Sequence, residues 1–141
     1  MTKRRKVELT EAAKGDIVRL HQDDPQLARI ALLRLRDLGR GDLTGQPLEE
    51  MAVTGDLTDC RKLYFGTGDE PTHRVVYREH GPRGGIEVLD VVAVEERDEL
   101  YAYLLAAVRL GRLPEESRSR LNRVRQRVIQ RRAGTRRPRE G

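Results

Sequence analysis

"HRVVYRE", residues 73 to 79, is the stretch on which the fold turns. β-Branched and aromatic residues at its centre, with turn-forming residues on either side, mark it as a β-strand. Successive side chains of a strand point to opposite sides, so His73, Val75 and Tyr77 share one face and Arg74, Val76 and Arg78 the other. One face suits a core. The other carries two cations, and their surroundings depend on the neighbouring strands.

Two further runs have strand character, "CRKLYFG" (60–66) and "GIEVLDVVAV" (85–94), separated from the first by the turn-rich "TGDEPT" and "HGPRG". Links this short imply an antiparallel meander. If Leu63 and Phe65 join Val75 and Tyr77 in the core, Lys62 and Tyr64 lie on the face of Arg74 and Arg78, a shared cationic surface. Arg61 then turns inward or to the strand edge.

Upstream, "KVELT" alternates as a first strand, with Val7 and Leu9 on one side. Thr10 can cap a helix from Glu11 to about His21, in which Ala13, Ile17 and Leu20 recur at helical spacing. Asp24 before Pro25 is an N-cap followed by proline at the first helical position, and the stripe Ala28, Ala31, Leu32, Leu35, Leu38 stops at Gly39. Leu27, Ile30 and Leu33 widen that second helix's apolar surface, which implies burial against both its sister helix and a sheet. Residues 40–59 read as an irregular connection with one helical turn around Leu48 to Met51.

Downstream, Asp98 and Glu99 open a helix that ends near Gly111, and Pro114, Glu115 and Glu116 start another whose last turns are arginines. At i, i+4, Arg97 and Tyr101 can present toward the cationic surface. The fold class is α+β: an N-terminal strand and helical hairpin packed on a small antiparallel sheet, then C-terminal helices. The organisation expected is a basic leader (1–6), one domain (7–112), a basic helix (113–133) and a disordered tail (134–141).

Charge is unevenly spread along the 141 residues, whose net is +5. The first six residues carry four cations, and residues 117 to 141 carry ten arginines against Glu140 alone. Positions 7 to 116 therefore hold 14 basic against 22 acidic residues, a net of −8. Any contact of that body with nucleic acid must use a local basic cluster, because its overall field repels phosphate. The arginine-rich end points to a polyanion partner, through Arg123, Arg127 and Arg131 on the C-terminal helix. Neither a membrane-spanning run nor a signal peptide is present, so a cytoplasmic location with no membrane contact is expected. Cys60 is the only cysteine and reads as a small strand residue, while the three histidines form no ligand spacing, so neither metal nor cofactor is expected.

The order of these pieces, "GDLTDCRKLYF", "HRVVY" and "VVAVEERDELY" after a strand-helix-helix start, resembles the RelE/ParE superfamily of bacterial toxins over roughly residues 6 to 112. A toxin-antitoxin protein of RelE type is implied: a ribosome-dependent mRNA endoribonuclease that enters the 30S A site and is silenced by a cognate antitoxin, with a heterotetramer as one form of that complex. Such enzymes direct a ribose 2′-hydroxyl onto the adjacent phosphate, and positioned cations stabilise the charge that builds on phosphorus, with no metal required. The resemblance makes Lys62 the base or electrostatic partner, Arg74 the phosphate clamp, Arg97 the group at the leaving oxygen and Tyr101 the ring that stacks on a base. Arg61, Tyr64 and Arg78 would add nucleic-acid contacts. Tyr64 stands where RelE-like enzymes place a second lysine, and Glu95 and Glu96 stand where many relatives carry glycine and a basic residue or histidine. Two other functions remain open, a ParE-like inhibitor of DNA gyrase and a non-catalytic nucleic-acid-binding module.

Overall fold

The computed structural model describes residues 5–83, 86–96 and 98–136. Five strands form one sheet in the order β1-β5-β4-β3-β2: β1 (Lys6–Leu9), β2 (Gln46–Pro47), β3 (Cys60–Phe65), β4 (His73–Arg83) and β5 (Ile86–Glu96). β3, β4 and β5 make the expected antiparallel meander, with Val75 opposite Leu63 on one side and Val94 on the other. β4 runs on through "HGPR", which had read as turn, after a bulge at Glu79/Gly81 where Gly81 takes φ 81°. The sheet is mixed rather than wholly antiparallel, because β1 joins β5 in parallel, Val7 against Leu89. The long stretch between those two strands supplies the crossover that a parallel pair needs.

The helical hairpin, α1 (Glu11–Asp23) and α2 (Pro25–Arg40), covers one face of the sheet. Thr10 Oγ1 accepts from the Ala13 N–H at 3.1 Å and Asp24 Oδ1 from the Leu27 N–H at 3.2 Å, so both caps read from the sequence form. α2 continues through Gly39 and ends at Gly41, whose φ of 79° is cheap only for glycine. Its apolar surface is wider than what the sheet covers: Leu35 and Leu38 are buried, but Leu32 and Leu33 remain 52% and 40% exposed.

On the other face lies α3 (Tyr101–Arg109), apolar all round because it is buried on two sides. Ala102, Ala106 and Ala107 let it approach Val76, Val92 and Ala93 closely, while Leu104 and Leu105 pack on Leu121, Val124 and Val128 of α4 (Arg118–Arg136). α4 stays helical over 134–136, where a disordered tail was expected, and residues 137–141 lie outside the described residues. Residues 48–51 form no helical turn. Gln46 and Pro47 instead pair with Lys62 and Arg61, and Met51 bridges Gly55 in a tight turn. A Cβ on Gly45 would come within 2.6 Å of the Lys62 carbonyl oxygen, so only glycine lets this segment lie against β3. No helix among the described residues is long and apolar enough to cross a membrane.

β1 ends at Leu9, which leaves the edge of β5 beyond Val91 without a strand partner. Side chains close it. Asp16 Oδ2, from α1, accepts from the Val94 N–H at 2.9 Å, and Arg109 Nη1, from α3, donates to the Val92 carbonyl at 3.0 Å. Arg109 also binds both oxygens of the buried Asp16, at 2.6 and 2.8 Å, so one ion pair ties α1, β5 and α3 together. Glu95 lies alongside, 2% exposed, receiving Arg132 of α4 at 2.6 Å. Burial, then the charge of Asp16, push its pKa up to about 7. Asp16→Ala would take from the half-buried Arg109 its carboxylate and from an edge N–H its acceptor, and it is expected to cost about 2–4 kcal/mol in urea denaturation.

Two buried groups titrate in opposition. Glu95 takes a proton near 4.5 when unfolded and about 7 when folded, so between those values the folded state holds more protons and stability falls as pH rises. Burial, with Arg132 nearby, lowers His73 from 6.5 to about 4, so over that window the unfolded state holds the extra proton and stability rises with pH. Relative to the parent, Glu95→Gln should make stability climb more steeply between pH 4.5 and 6.5, and His73→Gln less steeply; denaturation midpoints across that range read both slopes.

Candidate functional site

Strand pairing sets Tyr64 opposite Arg74 and Lys62 opposite Val76, so Lys62, Tyr64 and Arg74 share the α3 face of the sheet. Arg74, 9% exposed, lays its guanidinium over the Tyr64 ring, 3.7 Å from the centroid, and its Nε donates to the Tyr103 hydroxyl at 2.8 Å. Its Nη1 reaches the His73 carbonyl at 3.4 Å. Lys62 Nζ stands 5.4 Å from the Tyr64 ring centroid and 5.8 Å from that of Tyr103. Two cations are thus bracketed by two tyrosines.

The hydrogen bond with Tyr64 raises the Lys62 pKa, and Tyr103 adds to the effect against partial burial. Lys62 is held as an ammonium. It is therefore suited to stabilising negative charge, whereas a general base would need its pKa brought down. Among the described residues, the ion pairs involve neither Lys62 nor Arg74. Beside the pair opens a cavity of about 370 Å³ between the β2 segment and α3, with Lys62 and Tyr103 in its wall.

Tyr101 does not join this group. It is buried between α3 and α4 with Leu104, Leu121 and Val124, and burial, followed by the charge of Glu95, raises its pKa. Residues two apart on a helix lie about 200° apart, so only one of Tyr101 and Tyr103 can reach the sheet. An i, i+4 spacing between residues 97 and 101 presumes one continuous helix, whereas residues 98–100 form a 3₁₀ turn and Leu100 takes φ 68°. Arg97 itself lies outside the described residues. The signal for Tyr103 was its spacing to Ala107, with Ala102 and Ala106, the small-residue side that packs on the sheet.

The remaining residues disperse. Arg61 pairs with Glu79 and donates to the Gly45 carbonyl at 2.8 Å, at the β2 side of the sheet. Arg78 pairs with Asp90 at 3.4 Å and is separated from Arg74 by Val76, which α3 covers. Arg131 binds Asp98 at 2.7 Å and lies 3.9 Å from Glu96, while Arg123 and Arg127 are exposed on the outer side of α4. Glu95 and Glu96 are thus engaged by arginines of α4.

These elements define an α+β architecture, and solved structures share it. The E. coli toxin RelE, as an arginine-to-alanine double mutant in the free state, matches with a TM-score of 0.53 and 17% identity, covering 76% of this chain and 98% of that one. The toxin-antitoxin complex RelBE2 of Mycobacterium tuberculosis gives 0.49 and 22%, covering 67% and 99%. A YoeB/ParE toxin of Agrobacterium tumefaciens gives 0.48 and 20%, covering 65% and 98%. No family model and no curated protein matches the sequence. The likeness is one of fold: the chain is structurally similar to E. coli RelE.

Tyr103→Phe would leave the Arg74 Nε buried without its partner, so a loss of about 1–3 kcal/mol is expected from thermal or urea melts. A matching Phe at Tyr64 keeps the ring under Arg74 and should cost less.

Proposed function

We propose that the chain is a toxin of RelE type that cleaves mRNA on the ribosome, with Lys62 and Arg74 as the phosphate-binding pair. The observation that carries this reading is the tyrosine bracket: two cations held in place, on one face, by neutral partners. Glu95 stands opposite Arg74 on β5 but is taken up by Arg132, so a phosphodiester entering there meets two cations that form no ion pair with a described carboxylate. In the reaction the O2′–P bond forms, the P–O5′ bond breaks and the net proton passes from O2′ to O5′, leaving a cyclic phosphate. Lys62 and Arg74 oppose the charge that grows on the equatorial oxygens. Stacking on Tyr64 and the bond to Tyr103 fix the guanidinium plane before substrate arrives, which limits the reorganisation needed in the transition state.

Arg97 keeps the role the resemblance assigns it, at the leaving oxygen. The stacking role assigned to Tyr101 passes to Tyr64 or Tyr103, which stand beside the cations. A cognate antitoxin, in a heterotetramer or otherwise, would be the natural partner. Arg123 and Arg127, exposed on α4, would contact ribosomal RNA.

Controlled expression in a bacterial host tests the proposal, with growth and mapped 5′ ends of cellular messages as readouts. The parent chain should arrest growth and produce discrete cuts within codons. Arg74→Lys keeps charge but loses the planar stack, and should lower the cleavage rate about 10²–10³-fold, the usual cost of removing one transition-state donor. Intact messages with induction of the DNA-damage response would overturn it in favour of gyrase inhibition; normal growth under strong induction would favour a binding module.

A further inference from the structure

The cavity beside Lys62 is not needed to hold a phosphate. Leu48 and Leu57, both buried, make its floor, Leu100 and Met51 border it, and Tyr103 is shared with the cation pair. Gln46 and Glu49 stand exposed at its rim. Its volume, about 370 Å³, falls in the range of pockets that take a small ligand. Leu100 is the sole non-glycine residue with positive φ among the described residues, at 68°. Such strain persists only where the surroundings hold it, and it gathers at ligand clamps.

We propose that this cavity takes one unstacked nucleobase of the RNA whose neighbouring phosphate lies on Lys62 and Arg74, and that Glu49 with Gln46 selects guanine. The inference rests on the RNA-cleaving reading and adds to it a base-specific subsite. Apolar walls and a tyrosine ring suit the π-face of any base, so they give affinity without selection. Selection comes from the rim. A carboxylate only accepts hydrogen bonds, and guanine alone offers two adjacent donors, N1–H and the 2-amino group, with O6 left to accept from the Gln46 amide. Uracil offers one donor between two carbonyl oxygens, which repel a carboxylate. Glu49 also opposes the RNA's own charge, so it admits best the base that compensates it with two hydrogen bonds.

The test uses dinucleotides methylated at the 2′-oxygen, which cannot be cleaved, titrated calorimetrically against the full chain. Guanine-containing dinucleotides should bind about tenfold or more tighter than those lacking guanine, in line with one bidentate base contact. Glu49→Gln, an exposed substitution whose melting curve should match the parent's, should level that preference. Lys62→Ala should weaken every dinucleotide alike. Equal affinity for all bases, no binding at millimolar concentration, or a guanine preference that survives Glu49→Gln would each overturn the subsite. Guanine-selective binding by a chain that leaves unmodified RNA intact would uphold the subsite and overturn the nuclease reading. Cleavage without base preference would do the reverse.

Discussion

The carboxylate of Asp16 is the contact on which the architecture depends. A parallel first strand of four residues cannot cover an eleven-residue partner, so part of β5 is left as an open edge inside the molecule. An unpaired backbone N–H there would cost about as much as a lost buried hydrogen bond. Asp16 answers the N–H of Val94, and its charge is answered in turn by Arg109 from the opposite layer. The two helical layers are therefore pinned to the same strand by one ion pair. Because α3 is held this way, Tyr103 arrives over the sheet at the place where Arg74 lies.

The same network explains the uneven charge of the chain. An acidic body followed by an arginine-rich end reads naturally as a folded domain with a tail for polyanions. Part of that end is instead used at home: Arg132 enters the buried site of Glu95 and lies 3.7 Å from Asp23, and Arg131 binds Asp98. α4 neutralises carboxylates that would otherwise stand near the cationic face. Removing its last turns would leave Glu95 with Asp16 as a crowded acidic pair, Arg19 and Arg109 being the cations left beside it.

Much of this was legible in the sequence, and the reason is periodicity. Alternation placed Lys62, Tyr64 and Arg74 on one face of the meander, and caps at Thr10 and Asp24 set the hairpin. The gap lay in contacts that period cannot encode. Asp16 looks like any polar residue on an amphipathic helix until an unpaired strand edge is set beside it. A helix that runs straight through Leu100 favours Tyr101 over Tyr103, and a left-handed leucine has no signature in the chain. The β2 segment was equally hidden, since two residues pair too briefly to alternate.

What marks the candidate site is that two cations meet there on two tyrosines. Across the described residues, Arg61, Arg78, Arg109, Arg112, Arg131 and Arg132 each meet a carboxylate. Such pairs orient a guanidinium by neutralising it. Tyrosine orients without neutralising: a π-face and a hydroxyl fix the plane of Arg74, and the positive charge survives for a further anion. Keeping a nearly buried cation out of an ion pair costs stability, and a ring and a phenol offset part of that cost. An arrangement of this kind makes physical sense where the missing counter-charge arrives with a ligand.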